Sequence, residues 1–200
     1  MTPKKFLIGL TGSIGMGKST TAKMFLRRGV PVWDADAAVA RLYQKGGSAV
    51  EPVRAVFPDA IVAGAVNKDA LKREIHKDPA ALEKLEMIVH PLVRQDRDAF
   101  VANASEPILV LDIPLLFEGG GQKEFDLVVV VSSPANIQRE RVLARPGMTE
   151  DQFSLILSKQ MPDDQKRALA DVVIETTTIE GAETAVDDLL KMVENRLRHA

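Results

Sequence analysis

The sequence predicts an α/β protein built on a doubly wound sheet of five parallel strands. Three observations support this fold class: short apolar runs, helical patterns between them, and polar residues where the runs end. The runs cover residues 6–10, 30–33, 108–111, 127–131 and 172–174. Continuous apolar runs are typical of strands buried on both faces of a parallel sheet. Because such sheets bind ligands beyond the carboxyl ends of their strands, the residues that follow the runs are the candidate site.

Composition limits the classes of protein to which the chain can belong. Its 200 residues, 46% of them hydrophobic, are enough for one α/β core, with room for a small subdomain rather than a second domain. The formal net charge of −2 gives no overall positive field, so we expect neither nucleic acid nor a membrane as a partner. We expect a monomer or a small homo-oligomer.

The first apolar run bears on the compartment of the protein, and the absence of cysteine excludes several kinds of site. That run is too short for the core of a signal peptide and far too short to span a bilayer, which favours a cytoplasmic protein. The chain contains no cysteine, which excludes disulfides, thiolate nucleophiles and zinc–thiolate sites.

The strongest functional signal follows the first run. Residues 12–19, GSIGMGKS, match the phosphate-loop pattern G-x-x-x-x-G-K-[ST], and a helix is predicted from residue 18 to residue 28. Glycines let the backbone curl until N–H groups face phosphate oxygens, and the helix N-terminus adds partial positive charge. We expect Lys18 to reach the β and γ phosphates and Ser19 to ligate Mg²⁺. The pattern predicts a nucleoside polyphosphate site; the alternative is a strand-to-helix turn with incidental glycines.

Two carboxylates follow the second run. Asp34 and Asp36 are two residues apart, so in an extended segment they share one side of the chain. A carboxylate at this strand end can orient or deprotonate an acceptor hydroxyl. Either of the two can instead cap the helix predicted over residues 37–43.

The third run ends in a carboxylate and an apolar segment. Asp112 occupies the position from which a carboxylate supports the Mg²⁺ shell of phosphate-loop enzymes; the alternative is an Asp in a plain turn. Residues 114–118, PLLFE, place large apolar side chains at the mouth of the same crevice. They belong either to the core or to an acceptor pocket.

Basic residues follow the fourth run. Residues 133–134, Ser-Pro, predict an N-cap and first helical position, and the helix then carries Arg139, Arg141 and Arg145. Arg141 and Arg145, at spacing i, i+4, share a face where like charges repel unless an anion such as a polyphosphate lies between them. The alternative is a solvated basic face paired with nearby carboxylates.

Residues 46–105 have a mostly helical pattern and form an insertion between strands. Residues 78–79, Asp-Pro, predict a helix start, and Pro91 predicts a kink or an end. His90 has no second histidine at ligand spacing, so we expect a hydrogen-bonded histidine at a helix end rather than a metal ligand. Farther along, we expect Lys159, Lys166 and Arg167 to be solvated.

Taken together, these segments resemble the dephospho-CoA kinase family. The resemblance extends over nearly the whole chain in order, through residues 10–20, 34–36, 90–91, 112–118, 138–145, 160–162 and 170–171. Many nucleotide enzymes share the phosphate loop, whereas the segments at 34–36 and 114–118 are typical of this family. The resemblance implies transfer of the ATP γ-phosphoryl group to the ribose 3′-hydroxyl of dephospho-CoA, the last step of coenzyme A synthesis, with Mg²⁺ as metal.

The resemblance also implies a P-loop kinase fold of three parts. These are a nucleotide-binding core over about residues 1–45, 106–135 and 171–200, a helical acceptor-binding insertion over about 46–105, and a helical lid over about 136–170. Three positions, Ala40, Ile156 and Thr176, depart from the residues that the family often has there.

Residue roles are carried over from the family by position. The implied catalytic residues are Asp36 as general base, Lys18 and Arg145. The implied ATP contacts are Gly12, Ser13, Ile14, Gly15, Met16, Gly17, Lys18, Ser19, Thr20, Arg141 and Arg145. The implied substrate contacts are Asp34, Asp36, His90, Pro114, Leu115, Leu116, Phe117 and Glu118. Ser19 and Asp112 are the candidate Mg²⁺ ligands.

Two other functions are compatible with the phosphate loop alone. One is a different small-molecule kinase, acting on a nucleoside, a nucleotide or a sugar. The other is a nucleotide-dependent switch without a small-molecule acceptor, although the sequence lacks a guanine-recognising Asn-Lys-x-Asp segment.

Overall fold

The five apolar runs form the predicted parallel sheet in the computed structural model, which describes residues 5–78 and 80–199. The strands are β1 (Phe6–Thr11), β2 (Val32–Asp34), β3 (Ile61–Val62), β4 (Ala65–Val66), β5 (Ile108–Asp112), β6 (Leu127–Ser132) and β7 (Val172–Glu175). The sheet has the order β2-β5-β1-β6-β7, and β3 and β4 form a separate antiparallel pair. The predicted fold class is therefore confirmed.

Helices connect and flank these strands. They are α1 (Lys18–Arg27), α2 (Ala35–Tyr43), α3 (Val50–Val56), α4 (Lys68–Lys77), α5 (Ala81–Asn103), α6 (Ala135–Leu143), α7 (Glu150–Ser158), α8 (Asp163–Leu169) and α9 (Ile179–Arg198). None of the helices in the described part of the chain has the length and apolarity needed to span a bilayer.

The chain divides into two compact units. The sheet unit comprises the chain up to Val32 and from Ser105 onward, and the helical unit comprises Trp33–Ala104. Each unit has a hydrophobic core of its own.

Strand β6 explains how both faces of the sheet are covered. Val129 packs in one cluster with apolar residues of α1 and α9, such as Phe25 and Val186. Its neighbour Val130 packs in a second cluster with Leu116. Because successive strand residues point to opposite faces, an unbroken apolar run signals a strand that is buried on both sides.

The helical unit contains two features that the sequence pattern did not show. The sequence predicts either a kink or a helix end at Pro91; helix α5 continues through this proline, so the end is ruled out. The β3–β4 hairpin turns at Ala63 and Gly64, which both have positive φ, as a type I′ turn requires. The predicted helix start at residues 78–79 lies partly outside the described residues, because Pro79 is not among them.

Candidate phosphate-binding and catalytic site

The phosphate-loop sequence connects β1 directly to α1. Gly17 is the N-cap of α1, with φ of 91°, and no side chain caps the helix. The first N–H groups of an α-helix have no acceptor within the helix, so those of Lys18 and Ser19 can donate to an anion. The helix dipole favours negative charge at the same place.

Gly15 is required by its conformation and by its surroundings. Its φ is +78°, in the left-handed region. A Cβ atom at this position would lie 2.5 Å from Cγ2 of Val142 and 3.0 Å from the carbonyl oxygen of Gln138. The loop therefore lies directly against α6, with no room for a side chain.

Carbonyl groups of the loop are held by protein donors. The Ile14 carbonyl accepts from Nε2 of Gln138 at 2.7 Å, and the Met16 carbonyl accepts from the Thr176 hydroxyl at 2.7 Å. The Ser13 carbonyl accepts from the Met16 amide at 3.1 Å. These carbonyl oxygens already accept hydrogen bonds within the protein. The loop therefore needs no further donor for them, and its N–H groups are the polar groups that can bind an anion.

Lys18 forms an ion pair with Asp112. Asp112 stands at the end of β5, in register with Leu10 of β1, and is 2% exposed. Lys18 Nζ lies against Asp112 Oδ1, and the lysine side chain is 16% exposed. A buried carboxylate needs a cation nearby, and Lys18 supplies that cation at the mouth of the loop.

The donor set suits a magnesium ion bound mainly by phosphate and water. Within the described ranges, no group of three or more His, Cys, Asp or Glu side chains could enclose a metal ion. Mg²⁺ typically takes only one or two protein oxygens and completes its shell with substrate phosphates and water. The hydroxyl of Ser19 and the carboxylate of Asp112 are hard oxygen donors of this kind, so the residues present fit the ion.

The two aspartates after β2 have different environments. Asp34 caps α2, its Oδ1 accepting from the Ala37 amide at 2.9 Å. Asp36 lies in the first turn of that helix, so the prediction that both carboxylates share one side of an extended segment is wrong. Asp36 is exposed, and among the described residues no hydrogen bond or ion pair engages its side chain.

The segment after β5 divides between core and surface. Leu116 and Phe117 are 2% and 6% exposed and pack in the core on β6. Leu115 is 49% exposed. Pro114 is half-buried, and its carbonyl accepts from the Thr11 hydroxyl at 3.1 Å. Only part of this apolar segment is therefore available to a ligand.

Glu118 joins this segment to the chain between α7 and α8. Its Oε1 accepts from the Met161 amide at 2.7 Å and lies 3.0 Å from Nζ of Lys166. Burial alone would raise the pKa of Glu118, but the hydrogen bond from the Met161 amide and the neighbouring Lys166 charge hold that pKa below its usual range.

Lys166 contradicts the prediction that it is solvated. Its side chain is 0% exposed, and the ion pair with Glu118 is its charged contact within the described residues. A lysine is fully buried only when a partner compensates its charge, and here Glu118 is that partner.

The arginines predicted on one helix are separated. Helix α6 ends at Leu143, so Arg145 lies beyond it, and the predicted face shared with Arg141 is wrong. Arg141 donates to the carbonyl of Thr176 at 2.6 Å and to its hydroxyl at 3.3 Å. Arg139 pairs with Glu150, as the alternative prediction has it.

The structure contradicts two further predictions, on Ser133 and on His90. Helix α6 starts at Ala135 after Pro134 as N-cap, so Ser133 is not the cap; its amide instead donates to the sulfur of Met16 at 3.2 Å. His90 lies exposed inside α5 rather than at a helix end.

The residues that support the loop from outside are not among the site residues that the sequence predicts. These are Gln138 and Gln160, both bonded to Ile14, and Thr176, bonded to Met16. Gln138 and Gln160 begin two of the segments that carry the family resemblance, and Thr176 is one of its departures. Their residue types alone indicate no role, because a glutamine in a polar helical stretch looks solvated until the fold places it against the loop.

Comparisons with known proteins agree on one family. A family model described as CoaE, dephospho-CoA kinase, matches residues 6–180. A protein of Ruegeria pomeroyi named dephospho-CoA kinase is 53% identical over 195 residues, which are 98% of this chain and 99% of that protein.

Solved structures show the same fold. The protein TT1252 from Thermus thermophilus has a TM-score of 0.85 and 34% identity, over 97% of this chain and 98% of its own. A dephospho-CoA kinase from Campylobacter jejuni has a TM-score of 0.65 and 17% identity, over 94% of this chain and 97% of its own. At that identity the second likeness concerns the fold alone.

Proposed function

The chain belongs to the dephospho-CoA kinase family, and we propose how its residues carry out phosphoryl transfer from ATP to the ribose 3′-hydroxyl of dephospho-CoA. The products are coenzyme A and ADP, and the reaction completes coenzyme A synthesis. The observation that carries the proposal is the phosphate loop between β1 and α1, found in a chain that matches the family over residues 6–180.

The loop and Lys18 bind the phosphates of ATP. Transfer of a phosphoryl group passes through a loose transition state, so the enzyme contributes mainly by aligning the reactants and neutralising charge. The N–H groups at the start of α1 donate to phosphate oxygens, and Lys18 places its charge on the β and γ phosphates. The ion pair with Asp112 fixes the position of that lysine at the start of α1.

Ser19 and Asp112 are the residues that would hold Mg²⁺. When bound, the ion neutralises charge on the phosphates. The chain also supplies cations of its own besides Lys18. We assign Arg141 and Arg145 to the phosphates of ATP. Arg145 is exposed beyond α6 and free of an ion pair within the described residues.

Asp36 acts as the general base. Its exposed carboxylate accepts the proton of the 3′-hydroxyl as the oxygen attacks phosphorus. General base catalysis contributes roughly 10² to 10⁴ in rate, and in a loose transition state this is secondary to alignment. The carboxylate of Asp34 already caps α2, so it is less suited to this role, and we assign it a contact with the substrate instead.

The acceptor is held by residues of the insertion and of the segment after β5. We assign this role to His90, Pro114, Leu115 and Glu118, and to Leu116 and Phe117 through their backbone, since their side chains are buried. In this proposal residues 46–105 form the acceptor-binding insertion and residues 136–170 the lid that excludes water during transfer.

An acceptor panel tests the proposal. The purified protein with Mg²⁺ and ATP is expected to release ADP only when dephospho-CoA is added, with coenzyme A identified by mass spectrometry. ADP release with a nucleoside, a nucleotide or a sugar instead would indicate a different small-molecule kinase. Turnover without any acceptor would indicate a nucleotide-dependent switch.

A further inference from the structure

Two glutamines outside the phosphate-loop pattern bond to the same residue of the loop. Nε2 of Gln138 donates to the Ile14 carbonyl at 2.7 Å, and Oε1 of Gln160 accepts from the Ile14 N–H at 3.1 Å. Gln138 belongs to α6, whereas Gln160 lies between α7 and α8. Both polar groups of the Ile14 backbone are therefore held by side chains from separate parts of the sheet unit; we call this pair of bonds the Ile14 clamp.

Gln138 is placed for this role by burial. It is 6% exposed, and a buried amide is costly unless it is hydrogen-bonded. Its Cγ lies 3.3 Å from the position that a Cβ of Gly15 would take, so the helix contacts the loop at both Ile14 and Gly15. The bond to Ile14 is thus part of a packed contact.

Gln160 is placed by the residue that follows it. The Met161 amide donates to Glu118, and Glu118 pairs with the fully buried Lys166. Glu118 itself follows β5, next to the strand that leads into the loop. A chain of polar contacts therefore runs from Lys166 through Glu118 to the segment that carries Gln160.

We propose that Gln138 and Gln160 are positioning residues for ATP, which act by holding the Ile14 peptide groups in place. With both polar groups of Ile14 fixed, the loop amides that follow are arranged before the nucleotide arrives, and binding does not have to order them. The Ile14 N–H stays with Gln160 when ATP binds. The amides that donate to phosphate then begin at Gly15.

This inference rests on the proposed function only because it requires the loop to bind ATP; the identity of the acceptor does not enter. The most direct probe is therefore ADP, titrated by calorimetry into the full-length protein. Gln160→Met and Gln138→Met keep the length of the side chain and remove its hydrogen-bonding groups. Gln165→Met, at an exposed glutamine of α8, is the matched control.

Each clamp variant is expected to bind ADP about three- to tenfold more weakly, the usual effect of losing one neutral hydrogen bond. The control is expected to bind ADP like the wild type. In kinetic assays KM for ATP rises and KM for dephospho-CoA stays unchanged. The double variant loses less affinity than the product of the two single effects, because both bonds act on one residue.

An ADP dissociation constant within about twofold of the wild type in both variants, with only the melting temperature lowered, would overturn the inference and make the glutamines purely structural. If Gln160→Met does not fold, Gln138→Met on another helix carries the same prediction. A wild type that binds no ADP would overturn the clamp and the proposed function together. A wild type that binds ADP but leaves dephospho-CoA unphosphorylated would overturn the proposed function alone.

Discussion

Glycines in this chain adopt positive φ for different reasons, and only some of them meet a tightly packed neighbour. Gly15 and Gly147 have nearly the same φ, +78° and +77°. A Cβ on Gly15 would collide with Val142, whereas one on Gly147 meets nothing within 4 Å. The two positions therefore separate the cost of backbone conformation from the cost of a collision.

Gly15→Ala is expected to weaken ADP binding at least about tenfold, because the loop must move away from α6 as well as adopt a left-handed conformation. Gly147→Ala is expected to lower the free energy of unfolding by about 1 to 2 kcal/mol, the cost of the left-handed conformation alone, and to keep the wild-type affinity for ADP. Calorimetric titration with ADP and thermal unfolding of both variants provide the measurements. Equal affinities in the two variants would show that the packing against Val142 does not shape the loop.

Asp36 and Asp34 provide a second matched pair. Asp36→Asn is expected to lower kcat by roughly 10² to 10⁴ and to leave the affinity for ATP unchanged, since a carboxamide cannot accept the proton. Asp34→Asn keeps the helix cap, because Asn caps as well as Asp, and is expected to lose less in kcat and to raise KM for dephospho-CoA. Steady-state kinetics distinguishes the two. Near-normal turnover of Asp36→Asn would remove this residue from the role of base.

At this scale the sequence predicted residues whose role depends on local pattern. The motif predicts the position of the loop and of Lys18 at the start of α1, and the end of the third apolar run predicts the position of Asp112. The burial of Lys166 and the bonds of Gln138 did not, because they depend on partners far away in the chain, Glu118 and Ile14.

At the scale of elements, α2 is attached to α5 through one carboxylate. Asp96 accepts from Nε1 of Trp33 at 2.7 Å and from Arg41 at 2.6 Å, all within the helical unit. Burial alone would raise the pKa of Asp96, but the hydrogen bonds from Arg41 and Trp33 lower it below its usual value. Asp96 therefore stabilises the helical unit more when it is ionised than when it is protonated.

The sign of the pH dependence follows from that lowered pKa. The contribution of ionised Asp96 to the free energy of unfolding is fully present above the pKa of about 4 that the residue has in the unfolded chain. It is lost as the pH falls through the lower pKa of the folded state. Asp96→Asn is expected to lower the free energy of unfolding by about 1 to 2 kcal/mol near neutral pH, and the difference from wild type shrinks as the pH drops below about 4.

Urea titrations at several pH values measure this difference, and the fluorescence of Trp33, the chain's one tryptophan, reports on the bond itself. Asp98→Asn on the same helix, an exposed residue paired with its neighbour Arg97, is the control and is expected to change stability by less than about 0.5 kcal/mol. A difference for Asp96→Asn that stays constant down to low pH would contradict the assignment.

Elements with a strong pattern were predictable, and elements set by context were not. The strands β5 and β6 were evident as unbroken apolar runs because both of their faces are buried. The two-residue strands of the β3–β4 hairpin are too short to show a period. Helix α5 continues past Pro91 despite the missing N–H, and the residues that follow, Leu92 and Val93, pack against the core of the helical unit.

For the whole molecule, nucleotide binding and stability are linked. A ligand that binds only the folded state adds about 2.7 kcal/mol to the free energy of unfolding at a hundredfold excess over its dissociation constant. ADP is therefore expected to raise the melting temperature of the wild type. Lys18→Met is expected to abolish most of this shift. The shift is measured from the variant's own melting temperature, because replacing Lys18 breaks the ion pair of the buried Asp112 and lowers the stability of the variant itself.

Lys23→Met, at an exposed lysine of the same helix, is the control and is expected to keep the full shift. A shift that survives in Lys18→Met would place the nucleotide elsewhere than on the phosphate loop.

The transfer itself can be followed with ATP labelled in its γ-phosphoryl group. With dephospho-CoA and Mg²⁺, the label is expected on the ribose 3′-oxygen of the product, one label for each ADP formed, as located by phosphorus NMR and mass spectrometry. Label released as inorganic phosphate, or attached at any other oxygen of the acceptor, would contradict the proposed function.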